Sequence, residues 1–412
     1  MSELHSLLTF PVRPISEEHY LGELSRFLKA GIPATYTLEQ VAAFERSELG
    51  EDADEVSDEE EQSNTTPLHI LARSLPGNLS DDEEQVVLHM MDMLFEYGAG
   101  WNFIDFENKT VGDLILERNG GNRESPLYQR VVEAGVSAEL LLRKLNGGDV
   151  EFIDENEIDI CAEASAEVVP KDALDDSTGK VSSVSDDDAT AADPDTYLNT
   201  KLKYTEDALI TENNKDGVMM DWETDIMKLA ADTLVSRKPV GESVVLNIGF
   251  GMGIIDTFIQ ERNPKKHYIC EAHPDVLKKM KNDGWYQKPN VVILEGKWQD
   301  SLNKLLDEGN VFFDGIYYDT FSEHYEDMLD LYDIVVGLVN PEGVFSFFNG
   351  LGADRPLCYD VYKKIVEVDV ATYGMNCEYT YVDLKGKLPD WKDVKRSYYN
   401  CEYYYHPKIS FA

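Results

Sequence analysis

From about Tyr197 to the C-terminus, short apolar runs alternate with amphipathic stretches. Val244–Ile248, Tyr268–Cys270, Val291–Leu294, Gly315–Tyr318 and Val344–Phe348 are rich in β-branched and aromatic residues and too short for helices. Separated by helix-length segments, they have the rhythm of a mostly parallel sheet with crossover helices. Tyr379–Asp383 and Glu402–Tyr405 read as a terminal hairpin around a polar connection. Ahead of Tyr197 the texture differs. Helical spacing recurs at Leu24–Leu28, Val87–Tyr97 and Leu127–Gly135, punctuated by turns at Gly31 and Gly98-Ala99.

Within this first part, Thr66-Pro67-Leu68-His69-Ile70-Leu71-Ala72 is close to the T-P-L-H-x-A signature of ankyrin repeats. In that signature Thr and His bridge neighbouring turns, and Pro opens the first helix. Asn108–Leu114 resembles a second copy that has lost the Pro and the His, and the acidic stretch around Pro76–Gln85 accounts for the longer spacing. Residues 1–145 are therefore expected to form a small α-helical, ankyrin-like repeat domain. Such a solenoid ordinarily binds protein on its concave face.

Charge changes the picture of the partners. The 412 residues carry 37 Lys and Arg against 79 Asp and Glu, a net of −42. That surface disfavours direct nucleic-acid binding and steers a basic macromolecule inwards. Three segments read as loops carry much of it: Asp149–Asp195, Glu51–Glu61 and Asp81–Glu84. Solubilising linkers and attraction of a basic protein substrate both fit these runs. Residues 146–190 form an acidic linker, in which Val150–Ile160 has the makings of a short tether. Cys161, Cys270, Cys358, Cys377 and Cys401 show no C-x-x-C pair, which suits a reducing compartment and speaks against a zinc site. With no signal peptide and no membrane-length apolar run, a cytoplasmic protein is expected, with access to the nucleus open. The oligomeric state is not legible.

Candidate chemistry begins where Val244–Ile248 runs into Gly249-Phe250-Gly251-Met252-Gly253, with a helix starting near Ile254. Glycines are needed where a strand turns sharply into a helix and the backbone approaches a ligand. A nicotinamide dinucleotide, a nucleotide and S-adenosylmethionine are all compatible with that loop. Glu271 closes the next strand, where a carboxylate can accept two ribose hydroxyls. Gly296-Lys297-Trp298-Gln299-Asp300 follows the third and offers a flat apolar surface with amides for an adenine edge. The third glycine of the loop comes one position too early for the dinucleotide fingerprint, so S-adenosylmethionine is the better cofactor.

From about Trp222 onward the chain resembles guanidinoacetate methyltransferase and, more closely, the fungal protein arginine N-delta (type IV) methyltransferases. The resemblance is carried by Trp222-Glu223-Thr224, Val245–Gly251 with Met252, Ile269-Cys270-Glu271 and Glu295–Asp300. It continues through Phe313–Thr320, Asn340–Val344 and Cys401–Tyr404. The appended ankyrin-like half points to the arginine enzymes rather than the small-molecule ones, from which Asn247 departs where they carry an acid. What the resemblance implies is an α/β, Rossmann-like S-adenosylmethionine methyltransferase domain over residues 191–412. It further implies cofactor contacts at Tyr197, Met227, Gly249, Phe250, Gly251, Met252, Gly253, Ile254, Glu271, Ala272, His273, Trp298, Gln299 and Asp319. For Tyr197 (with Tyr204) a lid and aromatic packing remain open, as do cavity and core for Met227. No metal is expected.

A guanidinium is planar and permanently charged, and its donors match carboxylates. Beside a cationic cofactor it needs offsetting negative charge. Asp319 closes the fourth strand at the catalytic end, and the resemblance makes Glu223 its partner. A helix cap is the plain alternative for Asp319, and a surface acid for Glu223. The expected activity is monomethylation of the delta nitrogen of arginine in a protein; the resemblance points to a ribosomal protein. A small-molecule guanidine methyltransferase and an inactive ankyrin adaptor that keeps the cofactor are the competing readings. His324 and His406 carry no assignment.

Overall fold

The computed structural model describes residues 3–48, 63–146, 193–321, 325–392, 394–395 and 397–412. The acidic run Glu51–Glu61, the acidic linker with its tether Val150–Ile160, Cys161 and His324 lie outside the described residues. The chain divides into two compact units. One comprises Met1–Lys144 with Gly352–Ile365; the other comprises Leu145–Leu351 with Val366–Ala412. Among the described residues, no helix is long and apolar enough to cross a membrane.

The first unit is helical: α1 (Glu3–Leu7), α2 (Glu17–Lys29), α3 (Leu38–Glu48), α4 (Pro67–Ser74), α5 (Asp81–Glu96), α6 (Val111–Arg118) and α7 (Pro126–Asn146). Helices α4 and α6 start alike. Thr66 caps α4, with Pro67 in its first turn, and the Thr66 hydroxyl lies 2.8 Å from His69 Nδ1. The other nitrogen of that imidazole reaches the Phe103 carbonyl at 3.2 Å, tying the helix to a turn 34 residues further on. In α6 the capping box is built from Thr110 and Asp113 instead, so the carboxylate takes over the part of the missing histidine.

Asp81–Glu84, expected as a loop, is the first turn of α5. Ser80 caps it, and four carboxylates at a helix N-terminus face the positive end of the backbone dipole. One of them is buried: Glu83 takes both the Nε and Nη2 protons of Arg13 and the Ile15 amide. Those donors, Arg13 first, hold its carboxyl at about 2. An acidic run can therefore start a helix as readily as leave one.

Residues 352–365 enter this unit through side chains. The Tyr128 hydroxyl donates to Asp360 at 2.6 Å, and Arg123 pairs with the same carboxylate at 3.0 Å. Leu357 and Val361 pack where Gly112 and Gly135 leave no room for a side chain.

The second unit opens with α8 (Pro194–Asn199) and a small antiparallel sheet, β1 (Leu202–Tyr204), β2 (Ala208–Thr211) and β3 (Gly217–Met220). A single turn of 3-10 helix, Asp221–Glu223, leads into α9 (Thr224–Val235). The main sheet follows: β4 (Val244–Ile248), β5 (Lys266–Glu271), β6 (Val291–Glu295), β7 (Phe313–Tyr318), β8 (Val339–Phe347), β9 (Met375–Asp383) and β10 (Tyr403–Phe411). Their order in space is β6-β5-β4-β7-β8-β10-β9, parallel throughout except that β10 runs against both its neighbours. This is the Rossmann-like α/β arrangement with an antiparallel terminal hairpin.

Strands β4 and β7 are apolar on both faces because helices cover both. Leu246, Ile248, Ile316 and Tyr318 enter one core. Val245 and Tyr317 enter the other, together with Ala230 and Leu234 of α9. Chain order reverses at β4, with β5 on one side and β7 on the other. A crevice at the carboxyl ends of these strands is the standard consequence.

Candidate active site

Register alone brings three key positions together. Ile248 pairs with Cys270 on one side and with Tyr318 on the other. The next residues along the three strands are Gly249, Glu271 and Asp319, so they stand side by side at the crevice. The Gly249 amide donates to the Cys270 carbonyl and the Asp319 amide to the Ile248 carbonyl, each at 2.9 Å. Gly249 has φ +93°, and a Cβ built on it would stand 1.9 Å from the Asp319 carbonyl oxygen. No L side chain fits there.

A cavity opens over this point. Its wall includes Tyr197, Gly249, Gly251, Glu271, Ala272 and Asp319, and on the far side Trp298 and Gln299. Glu271 is nearly buried and accepts the Phe250 amide at 2.9 Å on one oxygen and the His273 amide at 2.6 Å on the other. Burial raises its carboxyl, and backbone amides counter that rise. The amides leave lone pairs on both oxygens for a pair of hydroxyls. Gln299 Oε1 is buried without a partner among the described residues, an acceptor left for a ligand's donor.

Tyr197 packs between the His273 and Phe321 rings at 4.9 and 4.8 Å and so closes one flank. His273 does not reach the wall. Its Nε2 lies within hydrogen-bond distance of the Tyr197 and Thr200 carbonyls and secures α8 instead. The Tyr204 hydroxyl donates to the Gly251 carbonyl at 3.0 Å, bracing the loop from outside. Phe250, Met252, Gly253 and Ile254 are absent from the wall. The loop turns away after Gly251, and the Phe250 ring is buried against Trp285. Met227 is also off the wall: one helical turn beyond Glu223 faces the core, where its sulfur accepts from the Tyr317 hydroxyl at 3.6 Å.

The two acids expected to handle substrate are coupled by charge. Asp319 lines the cavity, which receives what exposure it keeps. Glu223 is 3% exposed, at the end of the Asp221–Glu223 turn. Among the described residues, neither has a Lys, Arg or His partner, and Asp319 Oδ2 is buried with no hydrogen-bond partner. Burial raises both carboxyls; Asp319 adds to the rise at Glu223, and Asp256 to the rise at Asp319. Two acids without a cationic partner make this a region of uncompensated negative charge, which a cation carrying its own hydrogen-bond donors would offset.

Asn247 is buried beneath the loop, and its amide donates to the Gly249 carbonyl at 2.7 Å and to both oxygens of Asp256. It fixes the loop from behind. Sequence reasoning missed Val218 and Met219 on the wall. They come from β3, which carries no motif, and only their place just ahead of Trp222-Glu223 hinted at them. Gly296 and Lys297 also line the cavity, inside a motif already singled out for its Trp and Gln.

The family model for guanidinoacetate N-methyltransferase matches residues 195–409. The chain is 68% identical over 418 residues to protein arginine N-methyltransferase 2 of Saccharomyces cerevisiae, covering 100% of both chains. It is 65% identical to the protein of the same name from Kluyveromyces lactis, again over 100% of both chains. Among solved structures, spermidine synthase from Thermotoga maritima aligns with a TM-score of 0.36 and 12% identity, over 51% of this chain and 71% of that one.

Proposed function

The chain belongs to the family of protein arginine N-methyltransferase 2, and we propose that it transfers a methyl group from S-adenosylmethionine to the delta nitrogen of an arginine in a protein. The observation that carries this reading is a pair of acids without a cationic partner among the described residues: Asp319 on the cavity wall beside Gly249 and Gly251, and buried Glu223, whose carboxyl feels the Asp319 charge.

The residues present fit the cofactor by their donor set. Glu271 offers two carboxylate oxygens to ribose hydroxyls, Trp298 a flat face, and Gln299 an unmatched acceptor. Gly249 and Gly251 let the backbone lie close. When bound, S-adenosylmethionine would supply a methyl group activated by an adjacent sulfonium, its S–C bond breaking as the new N–C bond forms so that sulfur leaves as a neutral thioether.

The protein's own part is orientation and proton handling. A guanidinium has a pKa above about 12, so it arrives charged. Glu223 and Asp319 offset that charge and grip the two terminal nitrogens, which leaves the chain-bearing nitrogen free to face the methyl group. That nitrogen joins the guanidinium to a methylene in arginine and in guanidinoacetate alike. As the new N–C bond forms, its N–H proton passes to one of the two carboxylates, whose raised affinity for protons suits them to accept it. In-line orientation and charge complementarity supply the acceleration.

The helical first unit is read as an ankyrin-like scaffold that recruits the protein substrate, and the net charge of −42 favours a basic one, such as a ribosomal protein. The test is transfer of labelled methyl groups into a whole-cell extract, followed by acid hydrolysis and mass analysis of the labelled amino acid. Delta-monomethylarginine in protein supports the proposal. Label confined to free guanidino compounds favours a small-molecule enzyme, and label on terminal guanidino nitrogens overturns the proposed geometry.

A further inference from the structure

Glu223 Oε1 is held from two sides. The Met220 amide donates to it at 3.1 Å, and the Tyr398 hydroxyl donates to the same oxygen. Tyr398 comes from the connection between β9 and β10, 175 residues away in sequence. Its own oxygen accepts from the Trp222 indole N–H at 3.0 Å. An indole N–H only donates, so the direction of the relay is set: Trp222 to Tyr398, and Tyr398 to Glu223.

The tyrosine ring is firmly seated. It meets Trp391 edge-on at 4.9 Å and Trp222 at 6.1 Å. On the β3 side it lies so close to Gly217 that a Cβ there would stand 3.1 Å from ring Cε1.

We propose that Tyr398 is a positioning residue of the guanidinium site: oriented by Trp222, it locks Oε1 of Glu223 and leaves Oε2 as the oxygen that takes the substrate. The inference rests on the functional reading above. A proton on Oε1 would face the proton Tyr398 already supplies, so any proton on Glu223 sits on Oε2. Protonation and substrate capture then compete for one oxygen. A Lys or Arg in place of Tyr398 would hold the carboxylate equally well but would neutralise the charge the guanidinium needs. The groups facing Glu223 keep that charge: Asp319 at the end of β7, Asp221 in its own turn and the Tyr317 hydroxyl are acidic or neutral. Burial and then Asp319 push the Glu223 carboxyl up, while Tyr398 and then the Met220 amide pull it down.

The test is an infrared titration of the Glu223 carboxyl band, assigned by its loss in Glu223→Gln. Alongside it runs the pH profile of kcat/KM for methyl transfer into the basic proteins of a ribosomal extract. Tyr398→Phe keeps the ring and removes the hydroxyl. The Glu223 midpoint should rise by about one pH unit, with kcat/KM about tenfold lower at neutral pH and recovering at alkaline pH. S-adenosylmethionine affinity should stay the same, because Tyr398 is not on the cofactor cavity wall. Placing 3-fluorotyrosine at position 398, which preserves shape and strengthens donation, should move both readouts the opposite way. Unchanged midpoints in both variants, or a loss of activity that is uniform with pH, would overturn the proposal and leave Tyr398 as packing. If Glu223→Gln itself turns over normally, the guanidinium-site reading fails, whatever Tyr398 does.

Discussion

Replacing Gly249 by alanine isolates the contact that sets the catalytic end of the sheet. A Cβ at this position would lie 1.9 Å from the Asp319 carbonyl oxygen, whereas such contacts are essentially never found under 3.0 Å. The β4 and β7 ends must therefore part by about 1 Å or more, against the packing on both faces of the sheet. Alanine at positive φ costs about 1–2 kcal/mol, and forcing a packed backbone apart about 1–3 more. The total is about 2–5 kcal/mol. Gly241 is the matched control: its φ is +87°, yet a Cβ there meets nothing within 4 Å. Gly241→Ala should carry only the conformational cost. By calorimetry, the transition that S-adenosylmethionine raises is the one to follow. At about 2–4 °C per kcal/mol, Gly249→Ala should lower it by about 4–20 °C, and Gly241→Ala by about 2–8 °C. Turnover should fall about 100-fold in Gly249→Ala, since Asp319 is displaced by about 1 Å. If the two variants melt within a degree of each other and Gly249→Ala turns over normally, the close approach of β4 and β7 does not govern the site.

Asp319→Asn and Glu223→Gln keep shape but remove charge, and each should cut turnover by about 10²–10³-fold while the fold survives, as steady-state kinetics and circular dichroism would show. Because burial raises both carboxyls, kcat/KM should climb as pH rises through their ionisation, and a flat profile from pH 6 to 9 would contradict the paired-acid site. Stability should show the opposite trend. Between the ordinary carboxylate range and the raised value the native state holds more protons than the unfolded chain, so stability falls as pH rises, and Glu223→Gln should melt higher than wild type at pH 9. A chain starting at Asp193 strips Leu357, Tyr359 and Val361 of the first-unit packing that buries them, so sedimentation should find it aggregated unless those positions are made polar. Methylation of a basic protein should weaken with salt far more than that of a short arginine peptide, because acidic steering is screened over about 8–10 Å.

The sequence by itself determined what depends on local pattern. Alternating apolar runs located the five parallel strands, and Thr-Pro and Gly punctuation marked where helices start and stop. Strand-to-loop position alone put Gly249, Glu271 and Asp319 at strand ends, because a parallel sheet aligns the carboxyl ends of its strands. What only the tertiary structure decided is which side chains meet across long separations in sequence. Periodicity does not show that Met227 turns into the core; the face of α9 that packs on the sheet decides it. Nothing local reveals that Tyr398 donates to Glu223, or that β3 supplies Met219 to the cavity wall. Acidic density misled at Asp81–Glu84 because charge is equally at home in a loop and at a helix N-terminus, and the Ser80 cap and the Arg13 partner favour the helix. Residues 352–365 belong with the first unit for the same kind of reason. Burying Leu357 and Val361 and pairing Asp360 are gains from non-local contacts, which no window of sequence contains.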